Sequence, residues 1–139
     1  MKTTIIQPYL FFNGRCDEAL EFYRATLGAQ VDFVMRYNES PEPLPPGRLP
    51  AGFENKVMHA TFHIGATTLM ASDGCCTEPN FAGFSLSLAV PSATEAHRVF
   101  DALAVGGRSE LPLTKTFWSP CFGMLTDHFG VGWMISVMP

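Results

Sequence analysis

The sequence predicts an α+β fold, two βαβββ modules forming a curved mixed sheet around a cleft, and three observations predict it. Signals for a strand, a helix and three further strands occur in that order and then occur again. The second helical segment follows the first at a constant offset of 77 residues, which lays Glu18 on Glu95, Ala19 on Ala96 and Tyr23 on Phe100, with Pro8 on Ser85 in the preceding strands. One helix per module covers only one side of its sheet, so two modules side by side can curve their uncovered sides around a shared interior. The modules run over about 1–74 and 75–139 within a single domain, with a proline-rich excursion at 38–53.

In chain order, Ile5 to Phe12 reads as a first strand, and Asn13 is placed to cap a helix that carries Asp17 and Glu18 near its positive end. Ala19, Leu20, Tyr23 and Leu27 recur at the three-to-four spacing of a buried stripe, and Gly28 ends the helix. Residues 29–37, AQVDFVMRY, are strand-like; the following NESPEPLPPGRLPAGF holds five of the chain's 11 prolines and no regular element is expected in it. Strands follow at 56–64 and 67–72, joined by a turn at Gly65. The pattern restarts with a strand at 84–90. Ser92 and Glu95 have the serine-x-x-glutamate spacing that satisfies two helix-start amides, Ala96, Val99, Phe100 and Leu103 form the apolar stripe, and Gly106 and Gly107 stop the helix. Strands at 109–115, 121–126 and 131–137 complete the module, the last two separated by a turn at Asp127 to Gly130.

Composition excludes several classes of function. The 139 residues are 47% apolar and only 16% charged, as expected of an ordered domain, and 12 Phe with 7 Met suit an apolar pocket. With 9 basic against 13 acidic side chains and a net charge of -4, no basic face is available for nucleic acid. Cys16, Cys75, Cys76 and Cys121 match neither a zinc knuckle nor a C-x-x-C centre, and read as reduced thiols of a cytoplasmic protein. The opening MKTTIIQPYLFF is interrupted by Gln7 and Pro8 and no cleavage site follows, and no run is long enough to span a bilayer.

The stretches PYLFFNG (8–14), EALEFYRATLGA (18–29), SPEPLP (40–45), KVMHA (56–60), TLMASDG (68–74) and GMLTDHFGVGW (123–133) resemble the vicinal oxygen chelate superfamily, the glyoxalase/bleomycin-resistance/dioxygenase fold, and within it the PhnB-like group. Metal-using members of that superfamily hold an ion with His and Glu side chains from the first and last strands of each module. The matching positions here are Pro8, Ser85, Met134 and either Met70 or Ala71, and none is a His or a carboxylate. Proline and methionine cannot supply the converging N and O donors a divalent ion needs. The resemblance therefore implies the fold without the metal, and no cofactor is expected. Relatives are sometimes labelled ubiquinone-related methyltransferases, but no glycine-rich strand-to-helix turn that would cradle a nucleotide-like cofactor is present. The resemblance also implies a homodimer, and the long proline-rich segment is suited to lying over a neighbouring subunit.

His59 and His63 fall on one side of a period-two strand, roughly 13 Å apart at about 3.3 Å per residue, too far to share an ion. On that alternation Met58, Ala60, Phe62 and Ile64 form one face and Val57, His59, Thr61 and His63 the other. His59 is the candidate for binding or proton transfer. Asp73 is a second catalytic candidate, although beside Gly74 it reads first as a turn residue bonding its own backbone. Arg36 and Glu54 flank the proline-rich segment and can meet a polar ligand. Met70, Ser85, Phe122 and Met134 are expected to line the cleft, within a wider cluster that includes Met58, Met124 and Trp133. Cys75 and Cys76 have no nearby cation to activate a thiol, and His97 and His128 read as solvent-facing.

The sequence is read as a PhnB-like protein that binds a small, mainly apolar molecule in a metal-free cleft. One alternative is a metal-assisted lyase, isomerase or dioxygenase with a non-standard ligand set such as His59, Glu54 and Asp73. Another is a drug-sequestering protein that works without turnover.

Overall fold

A computed structural model describes residues 3–42, 49–74 and 80–138; Cys75, Cys76 and the middle of the proline-rich segment lie outside them. The chain divides into two units, Met1–Pro79 and Asn80–Pro139. The first contains β1 (Tyr9–Phe11), α1 (Cys16–Leu27), β2 (Gln30–Arg36), β3 (Val57–Ile64) and β4 (Thr67–Ser72), with a single 3-10 turn at Tyr37–Glu39. The second contains β5 (Leu86–Val90), α2 (Ala93–Ala104), β6 (Arg108–Thr114), β7 (Phe122–Thr126) and β8 (Gly132–Val137). Their sheets have the same topology, β1-β4-β3-β2 and β5-β8-β7-β6, the first pair of each parallel and the others antiparallel. Both helices start and end at positions related by the offset of 77. The repetition is lost only after β2, where residues 37–56 stand in the place of the short link 115–121.

Helix α1 forms because its apolar side chains fall on one face: Cys16, Ala19, Leu20, Tyr23 and Thr26 are buried, and Gly28 ends it in the left-handed conformation. Leu27, expected in this stripe, is only half-buried; Thr26 takes its place and turns its hydroxyl back to donate to the Phe22 carbonyl. Tyr23 and Phe62 of β3, both fully buried, stack nearly parallel with ring centroids 6.4 Å apart. Each such burial contributes on the order of 2 kcal/mol.

Two expectations at the start of this module are corrected. The first strand is confined to Tyr9–Phe11, although Pro8 still accepts a backbone hydrogen bond from Met70. Asn13 does not stand at the N-cap; it lies in the left-handed region at φ 48°, and the N-cap is Arg15, which makes no side-chain cap bond. The helix start is satisfied from elsewhere. Asp73, just beyond β4, accepts from the amides of Gly14 (2.7 Å) and Cys16 (2.8 Å) through Oδ1 and from the amide of Val57 (2.9 Å) through Oδ2. Instead of closing its own turn, this 2% exposed carboxylate ties the ends of β4, α1 and β3 together. On the surface above it, Arg36 grips Asp17 with two bonds of 2.9 and 3.0 Å, and this hydrogen-bonded partner lowers the Asp17 pKa from its ordinary value.

In the second module Ser92 caps α2 by accepting from the Glu95 amide, while the Glu95 carboxylate is turned to Arg98, so one arm of the expected capping box is used elsewhere. The stripe Ala96, Val99, Phe100 and Leu103 is buried as read from the sequence. Gly123 of β7 faces it; a Cβ there would lie 2.9 Å from both the Phe100 ring and the Leu111 carbonyl, so only glycine admits the helix this close. Asp127, 3% exposed, accepts from the Phe129 and Val131 amides and from the Trp133 indole N–H, fixing the β7–β8 turn.

Replacing Asp73 with Ala leaves three amides without their acceptor, and is expected to destabilise the first module by roughly 3–5 kcal/mol; urea unfolding checks this. Asp17 has a folded-state pKa below its ordinary 3.8. Its pairing therefore contributes above that pH and is lost as the pH falls through the lower folded value. The pair is exposed, so the stability difference between wild type and Asp17→Asn should be about 1 kcal/mol or less at neutral pH and shrink towards zero in acid.

Candidate functional site

Each helix covers one face of its sheet, and most of the sequence-derived site residues fall on the other. In the first module this helix-free face is shaped by two register shifts between β2 and β3. At the first, Val31 opposes Phe62 but Phe33 opposes Thr61, leaving Asp32 as an extra residue. The shift keeps Asp32 on the side of His63 and brings Phe33 and Met35 to it as well. At the second, Arg36 opposes Val57 rather than Met58. Val57 is accordingly buried among the residues tied by Asp73, and Met58 is half-buried; the alternation expected for 57–64 holds from His59 onward and slips before it.

Cross-strand register then arranges the face in rows, since paired residues share a side. Gln30, His63 and Thr68 form one row, Phe33, Thr61, Met70 and Tyr9 the next, and Met35 with His59 the third. His59 is held at both nitrogens: Nδ1 is 3.1 Å from the Tyr9 hydroxyl and Nε2 is 3.4 Å from the Thr61 hydroxyl. The rings of Tyr9 and Phe33 lie 5.7 and 6.2 Å from the imidazole, and Phe11 packs against Tyr9 at 4.9 Å. His63 does not approach His59; its Nδ1 lies 3.0 and 2.9 Å from the two oxygens of Asp32. Phe33 is 47% exposed and Tyr9 36%, on the two edge strands of the sheet, so each leaves part of an aromatic ring open on this face.

The other sequence candidates are distributed as follows. Met70 lies in the middle row beside Tyr9 and Thr61. Arg36 is occupied by Asp17 and the Asn55 carbonyl, on the helix side. Glu54 lines a separate hollow of about 150 Å³ with Tyr37, Asn38, Leu49 and Met58. Asp73 is buried, and both of its carboxylate oxygens are engaged by backbone amides at the ends of the elements it ties together. His59, Glu54 and Asp73 are not brought together, and among the described residues no three His, Cys, Asp or Glu side chains form a group able to hold a metal ion. Burial, with Asp73 second, pushes the Cys16 thiol well above its ordinary pKa, which makes it unreactive.

In the second module Met134 shares a row with Met124 and Ser87 on the face away from α2. Phe122 is on the same face, buried and edge-on to Trp118, and Ser85 lies just before β5 against Gly132. Trp133 points the other way, into the helix side, where Asp127 holds its indole. His97 and His128 are exposed. The residues that the resemblance sets at the superfamily's metal positions, Pro8, Met70 or Ala71, Ser85 and Met134, include no anionic or imidazole donor.

A family model described as 3-demethylubiquinone-9 3-methyltransferase matches residues 4–136. The chain belongs to that family, in the PhnB-like group of the vicinal oxygen chelate superfamily. It is 34% identical to protein YjdN of Escherichia coli K12, over 96% of this chain and 95% of that protein. The crystal structure of PA1353 from Pseudomonas aeruginosa is 42% identical, covers 97% of this chain and 98% of its own, and superposes with a TM-score of 0.84. A Bacillus cereus PhnB protein, at 28% identity and a TM-score of 0.80, covers 97% of this chain and all of its own. These PhnB-like structures share the two βαβββ modules and their mixed sheets. Tyr9, Phe33 and the Asp32–His63 pair were missed in the sequence reading. The one signal for them was the position of Asp32 in the strand-like AQVDFVMRY, and its meaning depends on a register shift that alternation cannot reveal.

Met134→Glu is expected to leave the protein without tight divalent-metal binding, because a single carboxylate with the neutral Ser85 hydroxyl and the thioether of Met124 does not make a ligand set. The new carboxylate, set among Met124 and Phe122, should have a raised pKa and lower stability by on the order of 1 kcal/mol. Zinc and manganese titrations with a thermal melt measure both.

Proposed function

We propose that this PhnB-like chain binds a small, mainly apolar molecule on the helix-free face of its first sheet, with His59 as the polar anchor and no metal. One observation carries the reading: a half-buried imidazole held between two hydroxyls and flanked by the partly exposed rings of Tyr9 and Phe33. Apolar walls with a few convergent polar groups are the usual composition of a small-molecule site. The 3.4 Å bond to Thr61 is long enough to be exchanged for one to a ligand. Met70 contributes to the floor. Ser85, Phe122 and Met134 are proposed as ligand-facing residues of the second module, on the helix-free side of its own sheet.

Methyl transfer, the activity in the family's description, is less well supported by the local chemistry. A nucleotide-like cofactor needs a glycine-rich strand-to-helix turn with open amides. Here the amides at the start of α1 are taken by Asp73, and Ser92 occupies the start of α2.

We further propose a homodimer in the cytoplasm. Phe117 is 97% exposed and Trp118 54%, apolar surface that a second copy would cover. No described helix is long and apolar enough to cross a membrane.

Native mass spectrometry of the untagged protein, purified without added metal, tests these statements together. The expected result is a dimer carrying an organic species that is lost in the His59→Ala variant. A monomer would reject the dimer. Stoichiometric metal that survives dialysis and disappears with His59→Ala would overturn the metal-free reading.

A further inference from the structure

The rows of the first module's helix-free face have different chemistry. The middle row offers Phe33, Thr61 and Met70 as a mostly apolar floor. On one side of it stands His59 with the Tyr9 hydroxyl. On the other stands His63, whose Nδ1 is within hydrogen-bond distance of both oxygens of Asp32. A carboxylate only accepts, so the His63 Nδ1 carries the proton and donates it, leaving Nε2 as the nitrogen available to a ligand. The His59 Nε2 is directed towards Thr61, and therefore along the strand towards His63. Asp32 is on this side because it is the extra residue at the register shift, beside Phe33.

An exposed His–Asp pair on a sheet surface contributes little to stability, and a bulge is a costly way to obtain one. The same bulge turns Phe33 onto the face, so one irregularity supplies both an apolar floor and a second polar end.

We propose that this face recognises an elongated, aromatic-bodied molecule with a hydroxyl or equivalent hydrogen-bonding group at each end, one end on His59 and Tyr9, the other on the His63–Asp32 pair. The inference rests on the reading that the face binds a ligand, and adds the class of ligand. Four residues of strand separate the backbone positions of the two histidines by roughly 13 Å, and the inward lean of the His59 Nε2 towards Thr61 brings the ligand-facing groups closer than that. After a hydrogen bond of about 3 Å at each end, at most about 7 Å remains between the ligand's polar atoms. That is the span of two fused six-membered rings, lying over Thr61 with one edge on Phe33. Asp32 acts through His63, fixing its tautomer and orientation, and is a positioning residue.

Isothermal titration calorimetry on the full chain tests this with three probes: 2,6-dihydroxynaphthalene, 2-naphthol with one polar end, and hydroquinone with two ends too close together. The dihydroxynaphthalene should bind about tenfold more tightly than 2-naphthol, the scale of one added hydrogen bond, and hydroquinone should bind more weakly than either. His63→Ala and Asp32→Asn should each reduce the dihydroxynaphthalene affinity to that of 2-naphthol while leaving 2-naphthol unchanged, with circular dichroism melts confirming that both variants fold. His59→Gln should weaken both naphthalene probes. Equal affinities for the two naphthalene probes, or equal losses for both in His63→Ala, would overturn the two-ended site while leaving a ligand-binding face intact. No binding of any probe by the wild type would overturn the proposal, and the absence of any organic species in native mass spectrometry would overturn the binding reading separately.

Discussion

The first module depends on one buried carboxylate. A βαβββ unit brings the end of its last strand, the start of its helix and the start of its third strand to the same place, and each arrives with backbone amides that have no partner in the regular ladders. Asp73 accepts from one amide on each side of the helix start and from Val57. Its effects extend outward: Val57 is drawn into the core, which shifts the β2–β3 register at Arg36, and Arg36 is then placed to reach Asp17 in the first turn of α1. Burial and the same carboxylate also raise the pKa values of the Cys16 thiol and the Tyr37 phenol, both of which stay protonated.

The second module repeats the topology and solves the same problems with different residues. Its helix is capped from its own sequence by Ser92, a local device. Its buried aspartate, Asp127, serves a hairpin and an indole rather than a helix. Duplication has therefore preserved the path of the backbone and the spacing of the helical stripes, while the polar groups that satisfy it have been replaced. A constraint set by geometry can be met by any acceptor that reaches the amides.

This difference decides how much was legible in the sequence. The Ser92 cap, the stripes of both helices and the turn at Gly65 are local, and periodicity with turn chemistry found them. Asp73 was read as an ordinary turn residue because its partners at Gly14 and Cys16 are distant in sequence, and no local pattern connects them. Strand alternation put His59, Thr61 and His63 on one side, as the register does, but joined Val57 to them, and the register shift buries Val57 with Ala60 and Phe62 instead. Trp133 was named in the wider Phe, Met and Trp cluster with no side assigned to it, and its place in the strand puts it under α2. The residues of the proposed site most dependent on register, Phe33 and Asp32, were the least visible.

The positions that the resemblance equates with metal ligands lie apart from the groups that hold each module together. An ion that held strands together would make its ligands part of the folding energy, and their loss would be destabilising. Here the groups that tie each module are Asp73, Arg36 with Asp17, Ser92 and Asp127, and they lie at element ends or on the helix side. Met70 and Met134, by contrast, are half-buried on faces turned away from the helices, in rows where a change of side chain alters no cap and no turn. Stability and surface chemistry are carried by different sets of residues. The helix-free faces can thus exchange ion ligands for thioethers, aromatic rings and hydrogen-bonded histidines while the backbone that presents them is unchanged.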